Sequence, residues 1–188
     1  MQVKDKYYFK AKKFNYRARS SFKLLDINKK YKIINKNDDV LDLGCWPGGW
    51  LQIIRQLTKA RVVGVDINQI NPINDVEFYK IDVRDVNEKI SGKFDVIISD
   101  MAPKTTGNIQ QDVEFSIDLA ELALEVVKKK LKNKGNFVVK IFQGKGFEDF
   151  YKILKTDFEF VKAFKPVSSR KRSKETYLIA KTYLLNKV

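Results

Sequence analysis

The segment Val40-Leu41-Asp42-Leu43-Gly44-Cys45-Trp46-Pro47-Gly48-Gly49-Trp50 runs from a short apolar strand through a glycine-rich turn into the start of a helix. Glycines at 44, 48 and 49 let the backbone turn tightly and let a ligand approach it without a side chain in the way. Asp66 ends the next apolar run, 22 residues beyond Gly44, where an acidic side chain can take both hydroxyls of a ribose. Together these features predict an adenosine-containing cofactor on a Rossmann-like sheet. The loop is not a pyrophosphate cradle. Its spacing is G-x-x-P-G-G rather than G-x-G-x-x-G, and Pro47 removes one donor amide, which argues against a nicotinamide-dependent dehydrogenase. Two further acids follow strand-like runs, Asp82 and Asp100. Three carboxylates around one ligand repel phosphates and suit a cation, which points to the sulfonium and ammonium of S-adenosylmethionine.

Outward from this loop, apolar runs alternate with helical periodicity, the pattern of a parallel sheet covered on both faces. Strands are predicted at 39–43, 61–65, 76–80, 94–99, 136–142, 158–164 and 175–181, with helices at 20–34, 49–59, 84–90, 112–131 and 146–155. The expected fold is α/β, a Rossmann-like sheet of seven mostly parallel strands with helices on both faces. In the helix over 112–131, Asp112 is the expected cap. Glu114, Asp118, Glu121 and Glu125 form one acidic stripe that should face solvent. No repeat or Pro/Gly/Ser linker divides the chain, so residues 1–188 read as a single domain, with 1–36 as a basic extension and helix.

The chain has 188 residues and a formal charge of +14, with no histidine and one cysteine. Zinc sets, Ser-His or Cys-His catalysis and an internal disulfide are therefore excluded, no metal is expected, and Cys45 reads as a packed residue. No apolar run approaches the roughly 18 residues of a membrane span, so no membrane partner is expected. The positive charge is localised. Residues 1–36 carry +10, 37–161 carry −3, 162–174 carry +6 and 175–188 carry +1. Basic residues interleaved with aromatics, as in Tyr7, Tyr8, Phe9, Phe14 and Tyr16, suit a nucleic-acid backbone. Lys12, Lys13, Arg17, Arg19, Arg170 and Arg172 are the candidate RNA contacts.

Five motifs in order complete the picture: Arg17-Ala18-Arg19-Ser20-Ser21-Phe22-Lys23-Leu24, the loop from Asp42 to Trp50, Ser99-Asp100-Met101-Ala102-Pro103, Val138-Val139-Lys140-Ile141-Phe142-Gln143-Gly144, and Lys165-Pro166-Val167-Ser168-Ser169-Arg170 with Glu175-Thr176-Tyr177. The chain resembles the FtsJ-like RNA 2′-O-methyltransferases from about residue 12 to 180. The motif forms resemble the large-subunit ribosomal RNA branch, with uridine as target, more than the transfer-RNA or cap branches. The resemblance implies a catalytic set of Lys23, Asp100, Lys140 and Glu175. It places S-adenosylmethionine against Gly48, Trp50, Asp66, Asp82 and Asp100, and Gly44, Pro47 and Gly49 complete the cofactor loop. It also implies ribosomal RNA or the large subunit as partner, a monomer, and an intracellular location, either cytoplasm or an organelle matrix. Two positions depart from the family pattern: Trp46 replaces a small residue, and Lys104 an asparagine. A catalytically idle RNA-binding assembly factor is the alternative from another class, and the intact quartet weighs against it.

Lys140 ends an apolar strand at the carboxyl edge of the sheet, where open α/β folds bind ligands, and is the candidate base for the 2′-hydroxyl. Catalysis by a base requires the neutral amine, and holding a lysine half-neutral near pH 7 costs about 4.6 kcal/mol. Desolvation, Lys23 and the sulfonium would favour that state, while Asp100 and Glu175 would oppose it. In the alternative, a charged Lys140 only orients the hydroxyl. The two basic flanks should meet over one face.

Overall fold

The computed structural model describes residues 5–170 and 173–185. Arg172 lies outside the described residues. Seven strands form one sheet in the order β3-β2-β1-β4-β5-β7-β6: β1 (Val40–Leu43), β2 (Val62–Asp66), β3 (Glu77–Lys80), β4 (Phe94–Ser99), β5 (Leu131–Phe142), β6 (Phe158–Phe164) and β7 (Glu175–Tyr183). The first five pair in parallel, whereas β7 runs antiparallel between β5 and β6. From β1 the chain steps outward to β2 and β3, then returns to place β4 on the other side of β1. That reversal opens a crevice beyond the carboxyl ends of β1 and β4.

Alternation along the central strands assigns each face its helices. Leu41 and Leu43 of β1 pack with Ala120, Leu124 and Val127 of α5 (Ile109–Lys130) and with Phe150 and Leu154 of α6 (Phe147–Asp157). Val40, Ile98 and Val138 face the other way, onto Leu24 and Ile27 of α2 (Ser21–Tyr31) and onto Trp50, Leu51 and Ile54 of α3 (Gly49–Leu57). The central strands β1, β2 and β4 are buried on both faces, which explains their continuous apolar runs.

The boundaries differ from expectation in four places. An N-terminal helix, α1 (Lys6–Lys13), starts where the Asp5 carboxylate accepts the Tyr8 amide at 3.0 Å. Its mean hydropathy is low, and it is held by ring packing, with Tyr7 lying 5.5 Å from Phe22 of α2. Helix α5 starts three residues early because the Asn108 side chain, not Asp112, accepts the Gln110 and Gln111 amides. Asp112 instead accepts from the Thr106 amide and hydroxyl in the preceding loop. Strand β5 begins at Leu131, directly after α5, and carries a register shift opposite Phe94 and Val96. The helix expected over 84–90 is a single turn, α4 (Val86–Lys89), entered through a tighter turn at Val83–Asp85. Glu114, Asp118, Glu121 and Glu125 are all exposed, as the stripe required.

Candidate active site

Beyond the ends of β1, β2 and β4 lies a cavity of about 380 Å³ whose lining includes Gly44, Trp46, Asp66, Asp82, Asp100 and Met101. Three carboxylates converge there. The one cation on the lining, Arg84, is already paired with Asp82 at 2.6 Å. That pairing and the Arg84 amide pull the Asp82 carboxyl down to about 2, despite partial burial. Asp66 is oriented by its own loop: it accepts from the Trp46 amide at 2.9 Å and from the Asn68 amide at 2.8 Å. Beneath them Asp42 is fully buried with neither carboxylate oxygen partnered. Burial first, then Asp100 and Asp66, push its carboxyl well above the usual range. A site with this donor set rejects an anion and accepts a cation.

Gly44, Asp66, Asp82 and Asp100 therefore line the cavity, whereas Pro47, Gly48, Gly49 and Trp50 do not. Gly48 and Gly49 face protein. A Cβ on Gly48 would lie 2.7 Å from the Arg17 guanidinium, and one on Gly49 would lie 2.8 Å from the Ser21 hydroxyl. Trp50 is core, donating its indole N–H to the Ser20 carbonyl and packing 5.7 Å from the Tyr177 ring. These residues hold the N-terminal segment onto the loop rather than touch the cavity. Gly44 is also shaped by protein: its φ is +76° and a Cβ would strike Met101. Cys45 is buried with its thiol pushed up by desolvation, Asp42 and Asp66, so it is a packed residue.

The four residues of the expected catalytic set come together from four elements. Lys140 near the end of β5 donates to both the backbone carbonyl and the carboxylate of Asp100, the latter at 3.0 Å. Lys23 of α2 pairs with Glu175, the first residue of β7, at 2.6 Å, and both side chains are largely buried. Tyr177 joins the two pairs. Opposite Lys140 in the β5–β7 register, it donates its hydroxyl to Asp100 at 2.7 Å, and the Lys23 ammonium lies 5.7 Å from its ring centroid. Burial would raise the Asp100 carboxyl, but Lys140, Lys23 and Tyr177 outweigh it and hold it below the usual range. Burial raises the Tyr177 phenol, as do Asp100 and Glu175, so it remains a donor. Tyr177 lies outside the expected site set, and the signal for it is its strand face, shared with Glu175 two residues earlier.

A second cavity, about 420 Å³, is bounded by Arg19, Lys23, Arg170, Ser173 and Glu175 and so adjoins the quartet. It forms where the two basic flanks meet. Arg19 donates to the Ser168 carbonyl at 2.6 Å, and Asp26 accepts from the Ser168 amide and hydroxyl. Arg17 does not belong to this surface. Its guanidinium donates to the carbonyls of Pro47, Asn71 and Pro72, because its fan of donors matches converging backbone oxygens, and it serves the fold. Lys12 and Lys13 are exposed on the last turn of α1, and Arg170 is exposed beside the second cavity.

Comparison with known proteins agrees with this geometry. A family model described as FtsJ-like methyltransferase matches residues 16–183. Ribosomal RNA large subunit methyltransferase E of Methanosarcina mazei is 45% identical over 188 residues, covering 96% of this chain and 70% of that protein. The protein of the same name from Archaeoglobus fulgidus is 46% identical over 184 residues, covering 95% and 96%. Among solved structures, a ribosomal RNA methyltransferase of Plasmodium falciparum superposes with a TM-score of 0.81 at 28% identity, over 90% of this chain and 99% of that one. A Streptococcus mutans methyltransferase in complex with SAH shares the fold at 14% identity and a TM-score of 0.57, over 87% and 95%. With a seven-stranded methyltransferase sheet and a match across nearly its whole length, this chain belongs to the FtsJ-like methyltransferase family and is a methyltransferase.

Proposed function

We propose that the enzyme is an S-adenosylmethionine-dependent ribose 2′-O-methyltransferase acting on large-subunit ribosomal RNA, with uridine as the target nucleoside. The observation that carries this reading is that Lys23 and Glu175 belong at once to the catalytic quartet and to the basic cavity. A strand held by its phosphates in that cavity presents an adjacent ribose to Lys140 and Asp100. The names of the relatives support the ribosomal substrate, and the three carboxylates of the first cavity support a cationic cofactor. The same reading makes the enzyme a monomer working where large-subunit RNA is made or assembled, in cytoplasm or an organelle matrix. No described helix is long and apolar enough to cross a membrane.

Asp66 would take the ribose hydroxyls, Asp82 the adenine edge and Asp100 the cationic end. When bound there, the cofactor supplies a methyl group on a sulfonium and departs as a neutral thioether. The residues then have two tasks, to align the hydroxyl in line with that methyl and to remove one proton. Lys140, in its amine form, takes the proton as the 2′-oxygen bonds to carbon. Asp100 fixes where the Lys140 nitrogen sits, and Tyr177 fixes Asp100. Lys23, pinned by Glu175, keeps a second positive charge near Asp100.

The test is to incubate the enzyme with tritiated S-adenosylmethionine and, separately, unmodified large-subunit RNA, large subunits, transfer RNA or capped RNA, then digest and identify the labelled nucleoside. Label in 2′-O-methyluridine from the large-subunit substrates is the expected result. Label confined to transfer or capped RNA would transfer the activity to those substrates, and no labelled ribose would refute the reaction.

A further inference from the structure

Trp46 is 56% exposed and belongs to neither apolar core, yet it lines the rim of the first cavity. Ile67, on the same rim, is 63% exposed. Both flank one anchor: Asp66 accepts the Trp46 amide on one oxygen and the Asn68 amide and side chain on the other. The rim is thus a fixed backbone carrying two large, solvent-exposed apolar groups on either side of Asp66. The other tryptophan, Trp50, is 3% exposed and satisfied by Ser20. An aromatic ring left wet beside a mostly apolar cavity gains free energy when a flat ligand covers it.

We propose that Trp46, with Ile67, closes on the nucleoside half of the bound cofactor and acts as a positioning residue for it. This rests on the S-adenosylmethionine reading above. The nucleoside is the occupant because the Trp46 backbone amide is tethered to Asp66, the carboxylate placed to hold a ribose, while Asp100 marks the reacting end. The contact is to an adenine or ribose face and does not need the sulfonium charge.

The experiment pairs calorimetry with acrylamide quenching of tryptophan emission, using S-adenosylhomocysteine and 5′-methylthioadenosine, neither of which carries a sulfonium. In the wild type, saturation with either ligand shields the accessible tryptophan. Trp46→Phe shows only the shielded emission of Trp50, before and after ligand. Trp46→Ala weakens both ligands about tenfold, whereas Trp46→Phe stays within about threefold, and neither variant shifts the thermal midpoint. Binding heat with unchanged quencher access, or Trp46→Ala binding as tightly as the wild type, overturns the proposal alone. Shielding that appears only with the sulfonium form or only with RNA also overturns it. Absence of binding heat for both ligands in the wild type overturns the cofactor reading and this proposal with it.

Discussion

Asp42, fully buried, and Asp100, partly buried, lie close enough to influence each other, but their carboxyls are pushed in opposite directions. Asp42 has no partner and its carboxyl is raised, so the folded state holds a proton that the unfolded state releases. Its contribution to stability is therefore largest below the ordinary carboxylate range and is lost as pH rises through the raised value. Asp42→Asn should raise the thermal midpoint by about 2–8 °C at pH 8, and by less at pH 4, from about 1–2 kcal/mol of relieved burial cost. A scan of melting temperature against pH checks this. Asp100 is the reverse case. Held below the usual range by Lys140, Lys23 and Tyr177, it adds stability that is present at neutral pH and lost as acid titrates it. Asp100→Asn should flatten the acid limb of the same scan. It should also abolish methyl transfer while S-adenosylhomocysteine still binds, because it removes the charge that seats Lys140.

At the scale of elements, Gly44 and Asp26 hold the two cavities open. A Cβ at position 44 would lie 2.4 Å from the Met101 side chain, at a φ only glycine adopts readily. Gly44→Ala should cost about 2–3 kcal/mol of stability and weaken cofactor binding, both measurable by calorimetry. Asp26 of α2 secures the segment before β7 through two bonds to Ser168. Asp26→Ala should raise the KM for RNA several-fold, speed amide exchange at 167–169 and leave S-adenosylhomocysteine affinity unchanged. The central strands were legible because strands buried on both faces read as apolar runs, and Asp66 and Asp100 were placed because they stand where two of those runs end. Two things were hidden. Helix α1 has a low mean hydropathy in a lysine-rich segment and is held by ring contacts to α2, which only the folded chain supplies. Gly48, Gly49 and Arg17 looked like ligand groups, yet they serve a packing contact between the loop and a segment some 30 residues earlier, which local pattern cannot reveal.

Across the whole molecule, the +14 resolves into a charge map with a purpose. The segment from 37 to 161 is slightly acidic and carries the carboxylates of the first cavity, while Arg19 and Lys23 of one basic flank meet Arg170 of the other around the second cavity, joined by Arg19, Asp26 and Ser168. RNA affinity should therefore fall steeply with salt, by about 0.7 log units per log unit of salt for each phosphate held. Arg170→Ala should lower that slope by about one contact, whereas Arg17→Ala should leave it unchanged and lower the melting temperature instead. Filter binding across a salt series measures both. The central claim is that the face where the flanks meet methylates a ribose hydroxyl through Lys140. Methylation at a 2′-oxygen removes the nucleophile for alkaline cleavage of the adjoining phosphodiester, so it is read directly from the RNA. Unmodified large-subunit RNA treated with enzyme and S-adenosylmethionine, then hydrolysed in alkali, should yield one new resistant position with the wild type and none with Lys140→Ala. A methylated product that remains fully alkali-labile, or the same resistant position made by Lys140→Ala, would contradict it.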